Sequence, residues 1–145
     1  MNGIYFDMDG TIADLYGDPD WLVKLDAYDP SPYENARPLL NLSRLARLIH
    51  KVQNLGYHVG IISWLSRTST SDYDKKVTDA KRAWLARHLP SVKFDSIHIV
   101  KYGVPKETIG SGILFDDEER NRINWGMGAH TETEIFQTLI AIGAK

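Results

Sequence analysis

The chain predicts an α/β fold, a mostly parallel sheet with helices on both faces, and three observations carry that prediction. Short apolar runs rich in β-branched and aromatic residues alternate with stretches of helical periodicity. The order is strand, helix, strand, helix, strand, the pattern of a sheet built by crossovers. No internal repeat, linker or low-complexity tract interrupts the 145 residues, which amount to one domain with room for a real core.

The first strand runs from Gly3 to Phe6. After it, residues 12–37 are rich in Pro, Asp and Tyr, carry Trp21, Tyr28 and Tyr33, and show one weak helical patch at Asp20 to Leu25. An irregular insert of that length inside a compact domain is more often functional than idle. It reads as a flap, a minimal cap over the strand ends.

A helix follows, with Leu42, Leu45, Leu48, Ile49, Val52 and Leu55 in one apolar stripe. Pro38 suits its first turn and Gly56 the residue past its end. Tyr57 to Ser63 ("YHVGIIS") is the second strand. The next helix places Tyr73, Val77, Ala80, Trp84 and His88 in period and is stopped by Pro90. Ser96 to Tyr102 and Gly112 to Phe115 are the third and fourth strands. "DDEERNR" continues, beyond its first two residues, as the solvated start of a helix. A last helix is expected from Glu132 to Ile142, with Ile135, Leu139 and Ile142 inward.

With 43% hydrophobic and 25% charged residues the composition is that of a soluble globular protein. A net charge of -2 gives no electrostatic footprint for strong nucleic-acid binding. The absence of cysteine excludes disulfides, zinc–thiolate sites and thiol nucleophiles. No apolar run approaches the ~18 residues of a membrane helix. The chain enters a strand without a basic segment and apolar stretch before it, so no secretory leader and a cytoplasmic location are expected.

In a parallel sheet ligands bind at the carboxyl ends of the strands. The first strand ends in Asp7-Met8-Asp9-Gly10-Thr11, the second in Ser63, and the fourth in Asp116-Asp117. Lys101 or Lys106 follows the third. Side chains two apart on extended backbone point the same way, so Asp7 and Asp9 can address one ligand. Several carboxylates in one place repel each other and a phosphate unless a hard cation sits among them, and Mg2+ takes such oxygen ligands. One carboxylate can then attack phosphorus while its neighbour, raised in pKa by like charge and burial, donates the proton. A hydroxyl holds phosphate oxygens and a lysine offsets the remaining charge.

The four motifs, in order, resemble those of the haloacid dehalogenase superfamily of phosphohydrolases. "YFDMDGT" is similar to its first motif, "VGIIS" to its second, the lysine to its third, and "ILFDD" to its fourth. The resemblance implies a three-layer Rossmann-like fold of that type, with Asp7 as nucleophile and Mg2+ ligand. It makes Asp9 the general acid/base, offering its backbone carbonyl to the metal, and Asp116 the second metal carboxylate, with Asp117 the alternative. Thr11 steadies the first loop and joins Ser63 and the lysine in the substrate and phosphate-binding set, to which Trp64 is added by its place just past Ser63. "VPKETIGSGILFDD" is similar to the corresponding segment of 5'(3')-deoxyribonucleotidases, as is "KRAWLARHL" to their helix, which favours Lys106 over Lys101.

Members that act on carbon–halogen bonds usually lack the second acid of the first motif. Asp9 therefore points to phosphate, and a nucleoside or deoxynucleoside monophosphate is the first substrate expected. A polynucleotide 3'-phosphate or another phosphorylated substrate is the alternative. A metal- and phosphate-binding module without turnover is the rival of another class. The insert is too short for a full cap domain, and capless members accept large substrates or let a partner subunit close the site. Trp21, Tyr28 and Tyr33 either stack on a base or plug the flap onto the core. Arg67 is near enough to Ser63 to meet a substrate. Arg44, Arg47 and Lys51 form a solvated helix face, and His58 and His98 are strand residues without chemistry.

Overall fold

The strand–helix alternation becomes a series of parallel crossovers in the computed structural model, which describes residues 3–144. In chain order the elements are β1 (Gly3–Phe6), β2 (Ala13–Asp14), α1 (Trp21–Asp26), α2 (Ser31–Glu34), β3 (Arg37–Pro38), α3 (Leu42–Asn54), β4 (His58–Trp64), α4 (Ser71–His88), β5 (Ser96–Val100), β6 (Ile113–Phe115), α5 (Glu119–Trp125), β7 (Ala129–His130) and α6 (Ile135–Gly143). The main sheet has the order β5-β4-β1-β6-β7, and every pairing in it is parallel. This is an α/β sheet flanked by helices, compatible with a Rossmann-like arrangement.

The order explains where a site can form. From β1 the chain builds outward through β4 and β5, then returns to the other side of β1 for β6 and β7. The direction reverses between β1 and β6, and a crevice opens at their carboxyl ends. Asp7 and Asp9 follow one of those strands and Asp116 and Asp117 the other.

The two-residue period of the strands sorts the core. Ile4, Phe6, Val59, Ile61 and Phe115 face α3, α6 and the second half of α4, burying Leu45, Ile49, Val52, Trp84, Leu85, Ile135 and Leu139. Tyr5, Ile62 and Leu114 face the other way, against Ile109 and Trp125 of α5.

Several boundaries differ from the sequence expectation. Helix α3 starts at Leu42 rather than near Pro38, because the Asn41 side chain accepts from the Arg44 N–H at 3.0 Å and caps it there. Pro38 lies in β3 instead, opposite Ala13. Tyr57 and Tyr102 fall outside the strands expected to hold them. Glu132–Glu134 is a 3-10 turn, and the regular helix begins at Ile135. The two-residue strand β7 was not expected, being too short to show a period. No helix among the described residues is long and apolar enough to cross a membrane.

The insert is more ordered than its composition implies. Strands β2 and β3 pair antiparallel and clamp its base. Between them Leu15, Leu25 and Tyr33 bury against Leu65 and against Tyr73, Val77 and Ala80 of α4, a second small core. Polar ties reinforce it: Trp84 Nε1 donates to the Ala36 carbonyl at 2.8 Å, and the Tyr73 hydroxyl donates to the Asp29 carbonyl at 2.9 Å. The flap is thus packed on α4 while its side chains help line the cavity at the strand ends.

Trp84→Phe keeps most of the apolar volume but strands the Ala36 carbonyl. Leaving that buried acceptor unpaired is expected to cost about 1–3 kcal/mol. The change is to be read as a lower urea midpoint at unchanged slope.

Candidate functional site

Past the end of β1 the backbone folds back on itself. The Met8 carbonyl accepts from the N–H groups of Thr11, Ile12 and Ala13 at 3.1, 3.0 and 2.9 Å. That turn needs a positive φ of 81° at Gly10, where a Cβ would also strike the Asp117 carboxylate. Thr11 is buried behind it. Its hydroxyl donates to Asp7 Oδ2 at 3.0 Å and accepts from the Asp117 N–H at 3.2 Å, so one side chain joins the two strand ends.

Asp7, Asp116 and Asp117 each offer an oxygen within 4.8 Å of the others. No histidine belongs to the group, and an all-oxygen set suits a hard cation such as Mg2+. Burial first, then the charge of Asp7, pushes the Asp116 carboxyl up to about 6 and the Asp117 carboxyl up to about 8. Asp116 is further held by the Glu118 N–H at 2.9 Å and by Asn121 Nδ2 at 3.1 Å.

Lys106 supplies the balancing charge. It stands at the start of a 3-10 turn (Lys106–Thr108), 2% exposed, with Nζ 2.9 Å from Asp7 Oδ1 and 2.8 Å from Asp116 Oδ2. Burial alone would lower its pKa, but the two carboxylates outweigh burial and hold it above the usual lysine value. Lys101 is exposed, 3.6 Å from Asp74 and outside the cluster, so Lys106 is the lysine brought to the acids.

Asp9 points elsewhere. Its Oδ2 lies 2.7 Å from Nζ of Lys81, a lysine of α4 that is 1% exposed. Burial raises the Asp9 pKa and the nearby Asp7 adds to it, while Lys81 and Lys106 pull against them. The same ammonium donates to Ser63 Oγ at 2.6 Å and to the Trp64 carbonyl at 2.8 Å. Ser63 therefore stands at the expected strand end but is fully buried, with its hydroxyl engaged by Lys81.

A cavity of about 730 Å³ opens over this end of the sheet. Asp7, Asp9, Asp116, Asp117 and Lys106 line it, together with Trp64 at the end of β4 and Ser66 and Arg67 in the loop that follows. Tyr16, Trp21, Leu22, Leu25 and Tyr33 of the insert also line it. Ser63 and Thr11 are not among its lining residues. Tyr28 is half exposed and packs its ring edge-on to Tyr73, away from the cavity. Arg44 lies over the Phe136 ring and is not among the cavity's lining residues.

Lys81, Asn121 and Tyr16 were not singled out from the sequence. For Lys81 a signal existed: with Val77 four residues before and Trp84 three after, it falls on the inward face of α4. A lysine there needs a buried anion.

Comparison with models of protein families, with curated proteins and with solved structures finds no match for this chain. What the site does has to follow from its geometry.

Without a cation the raised carboxyls penalise the folded state. Between the ordinary carboxyl value and about 8, the folded chain keeps protons that the unfolded chain has released, so this contribution to stability falls as pH rises through that window. Thermal unfolding in EDTA is expected to show a melting temperature that declines toward pH 8, and Asp117→Asn to flatten the decline. MgCl2 is expected to raise the melting temperature more at pH 8 than at pH 5, because bound metal displaces those protons.

Proposed function

We propose that the chain is a Mg2+-dependent phosphomonoester hydrolase of the haloacid dehalogenase type, acting through an aspartyl-phosphate on Asp7. The observation that carries this reading is the position of Lys106, buried between Asp7 and Asp116 while Asp9 stands on the same cavity wall. Three oxygen ligands, one balancing ammonium and a second acid on a separate partner form a set suited to phosphoryl transfer.

The oxygen-only triad fits a hard divalent ion. Mg2+ would be held by Asp7, Asp116 and Asp117 with the Asp9 carbonyl, and when bound it would draw charge from the phosphate oxygens and screen them from the carboxylates. The residues do the rest. Asp7 attacks phosphorus with a carboxylate oxygen, forming an acyl phosphate as the ester oxygen departs with its electron pair. Asp9, its pKa raised by burial, gives that oxygen a proton. Asp9 then takes a proton from water, whose oxygen attacks phosphorus, and the Asp7 carboxylate is released together with inorganic phosphate. Lys106 holds Asp7 and offsets charge gathering on the transferred group. Lys81 is a positioning residue that keeps the Asp9 carboxylate on the cavity wall and apart from Asp7.

A nucleoside or deoxynucleoside monophosphate is the substrate best supported. The cavity is of a size for a small organic ligand, and Tyr16, Trp21, Tyr33 and Trp64 give its walls flat aromatic surface. A metal- and phosphate-binding module would need no second acid held on its own lysine.

The test is p-nitrophenyl phosphate hydrolysis with Mg2+, with EDTA and in Asp7→Asn. Activity is expected only in the first, and a wild type indistinguishable from Asp7→Asn between pH 5 and 8 would sink the hydrolase reading. Asp9→Asn should lower kcat by about 10²–10⁴-fold, the usual share of a general acid/base. Lys81→Met should lower kcat with KM little changed, Lys81→Arg recovering part of the loss.

A further inference from the structure

Among the charged side chains of the cavity wall, Arg67 differs from the rest in being unengaged. Lys106 is bound by Asp7 and Asp116, and Lys81 behind the wall by Asp9. Arg120, beside the cavity, stacks on the Trp64 ring at 4.9 Å and lies 3.7 Å from Glu118. Arg67 is exposed, lines the cavity, and has no hydrogen-bond or ion-pair partner among the described residues.

Its backbone is nevertheless held on both sides. Leu65 is buried, and its N–H donates to the Val100 carbonyl at 2.7 Å. Ser66 is buried, and its hydroxyl accepts from the Thr68 N–H at 3.2 Å. The Thr68 hydroxyl reaches across to Asp26 of α1 at 2.9 Å, joining this loop to the insert. A guanidinium on a fixed backbone is a ready anion site, since its planar fork matches phosphate oxygens.

The cavity is also larger than one phosphate requires. Besides the acids and Lys106, its lining includes Trp21, Leu22, Leu25 and Leu65, and Arg67. Its lining therefore combines an acid cluster with Lys106, apolar and aromatic surface, Asp26 held by the Thr68 hydroxyl, and one cation without a partner among the described residues.

We infer that Arg67 binds a second phosphoryl group carried by the leaving group, so that the preferred substrates are phosphomonoesters bearing another phosphate one nucleoside away. The inference rests on the hydrolase reading and sharpens it. Two sources supply that chemistry, a nucleoside bisphosphate and the phosphorylated end of a strand, whose next phosphodiester stands where the second phosphate would.

The experiment compares kcat/KM for thymidine 5'-monophosphate, thymidine 3',5'-bisphosphate and a 3'-phosphorylated oligonucleotide in wild type, Arg67→Met, Arg67→Lys and Lys101→Met. Wild type is expected to favour substrates with the second phosphate by about 10–100-fold, the range of a charge-assisted hydrogen bond. The preference should lie mainly in KM and shrink with added salt. Arg67→Met should bring the ratio to near one, Arg67→Lys should keep part of it, and Lys101→Met, a charge change outside the cavity, should leave it intact. A gain confined to the bisphosphate supports a small-molecule source, and a gain with the oligonucleotide supports a strand end. A wild type without preference, or a preference that survives Arg67→Met, overturns the assignment. p-Nitrophenyl phosphate, which has no second anion, separates the failures: no turnover of it defeats the hydrolase reading, whereas turnover without preference defeats only the role of Arg67.

Discussion

The rest of the site depends on one charge problem. Asp7, Asp116 and Asp117 bring carboxylate oxygens within 4.8 Å of each other at the edge of a hydrophobic sheet, where repulsion and desolvation act together. Lys106 makes that grouping tolerable, bridging Asp7 and Asp116 from a short turn just ahead of β6. The neighbouring polar groups serve the same balance: Thr11 links Asp7 to the Asp117 backbone, and Asn121 and the Glu118 N–H fix Asp116. Gly10 lets the chain turn tightly enough to leave the Asp117 carboxylate its space.

A second, separate balance governs Asp9. Its partner comes not from a strand end but from α4, whose Lys81 reaches under the cavity to Asp9, Ser63 and the Trp64 carbonyl. Two buried lysines thus serve acids only two residues apart in the chain. Each acid has its own cation, so the two neighbouring carboxyl groups differ in environment.

Much of this was legible from residue order. The β1 run, the leucine stripe of α3 and the acid pair after β6 are local patterns, and local patterns survive into the structure where burial agrees with them. Pro38 misled because a proline allowed in a helix's first turn is equally at home on a short edge strand. Residues 12–37 looked irregular because their order comes from contacts with α4, which no local period encodes. Lys81 was visible as a lysine on an inward helix face, yet its partner Asp9 lies 72 residues earlier in the chain. Ser63 was placed correctly along the strand, but the direction of its hydroxyl depended on that unseen lysine.

The insert's small core with α4 has a consequence for how such a protein can change. The wall of the cavity made by Tyr16, Trp21, Leu22 and Leu25 belongs to a segment that enters and leaves through one short hairpin and rests on a helix, while the acids hang from the central strands. The two supports meet at α4, which carries the insert on one set of side chains and holds Asp9 through Lys81. Insert residues outside that small core, such as the exposed Leu22, are free to vary and change the cavity wall, whereas a change at Tyr33 reaches Lys81 and through it Asp9.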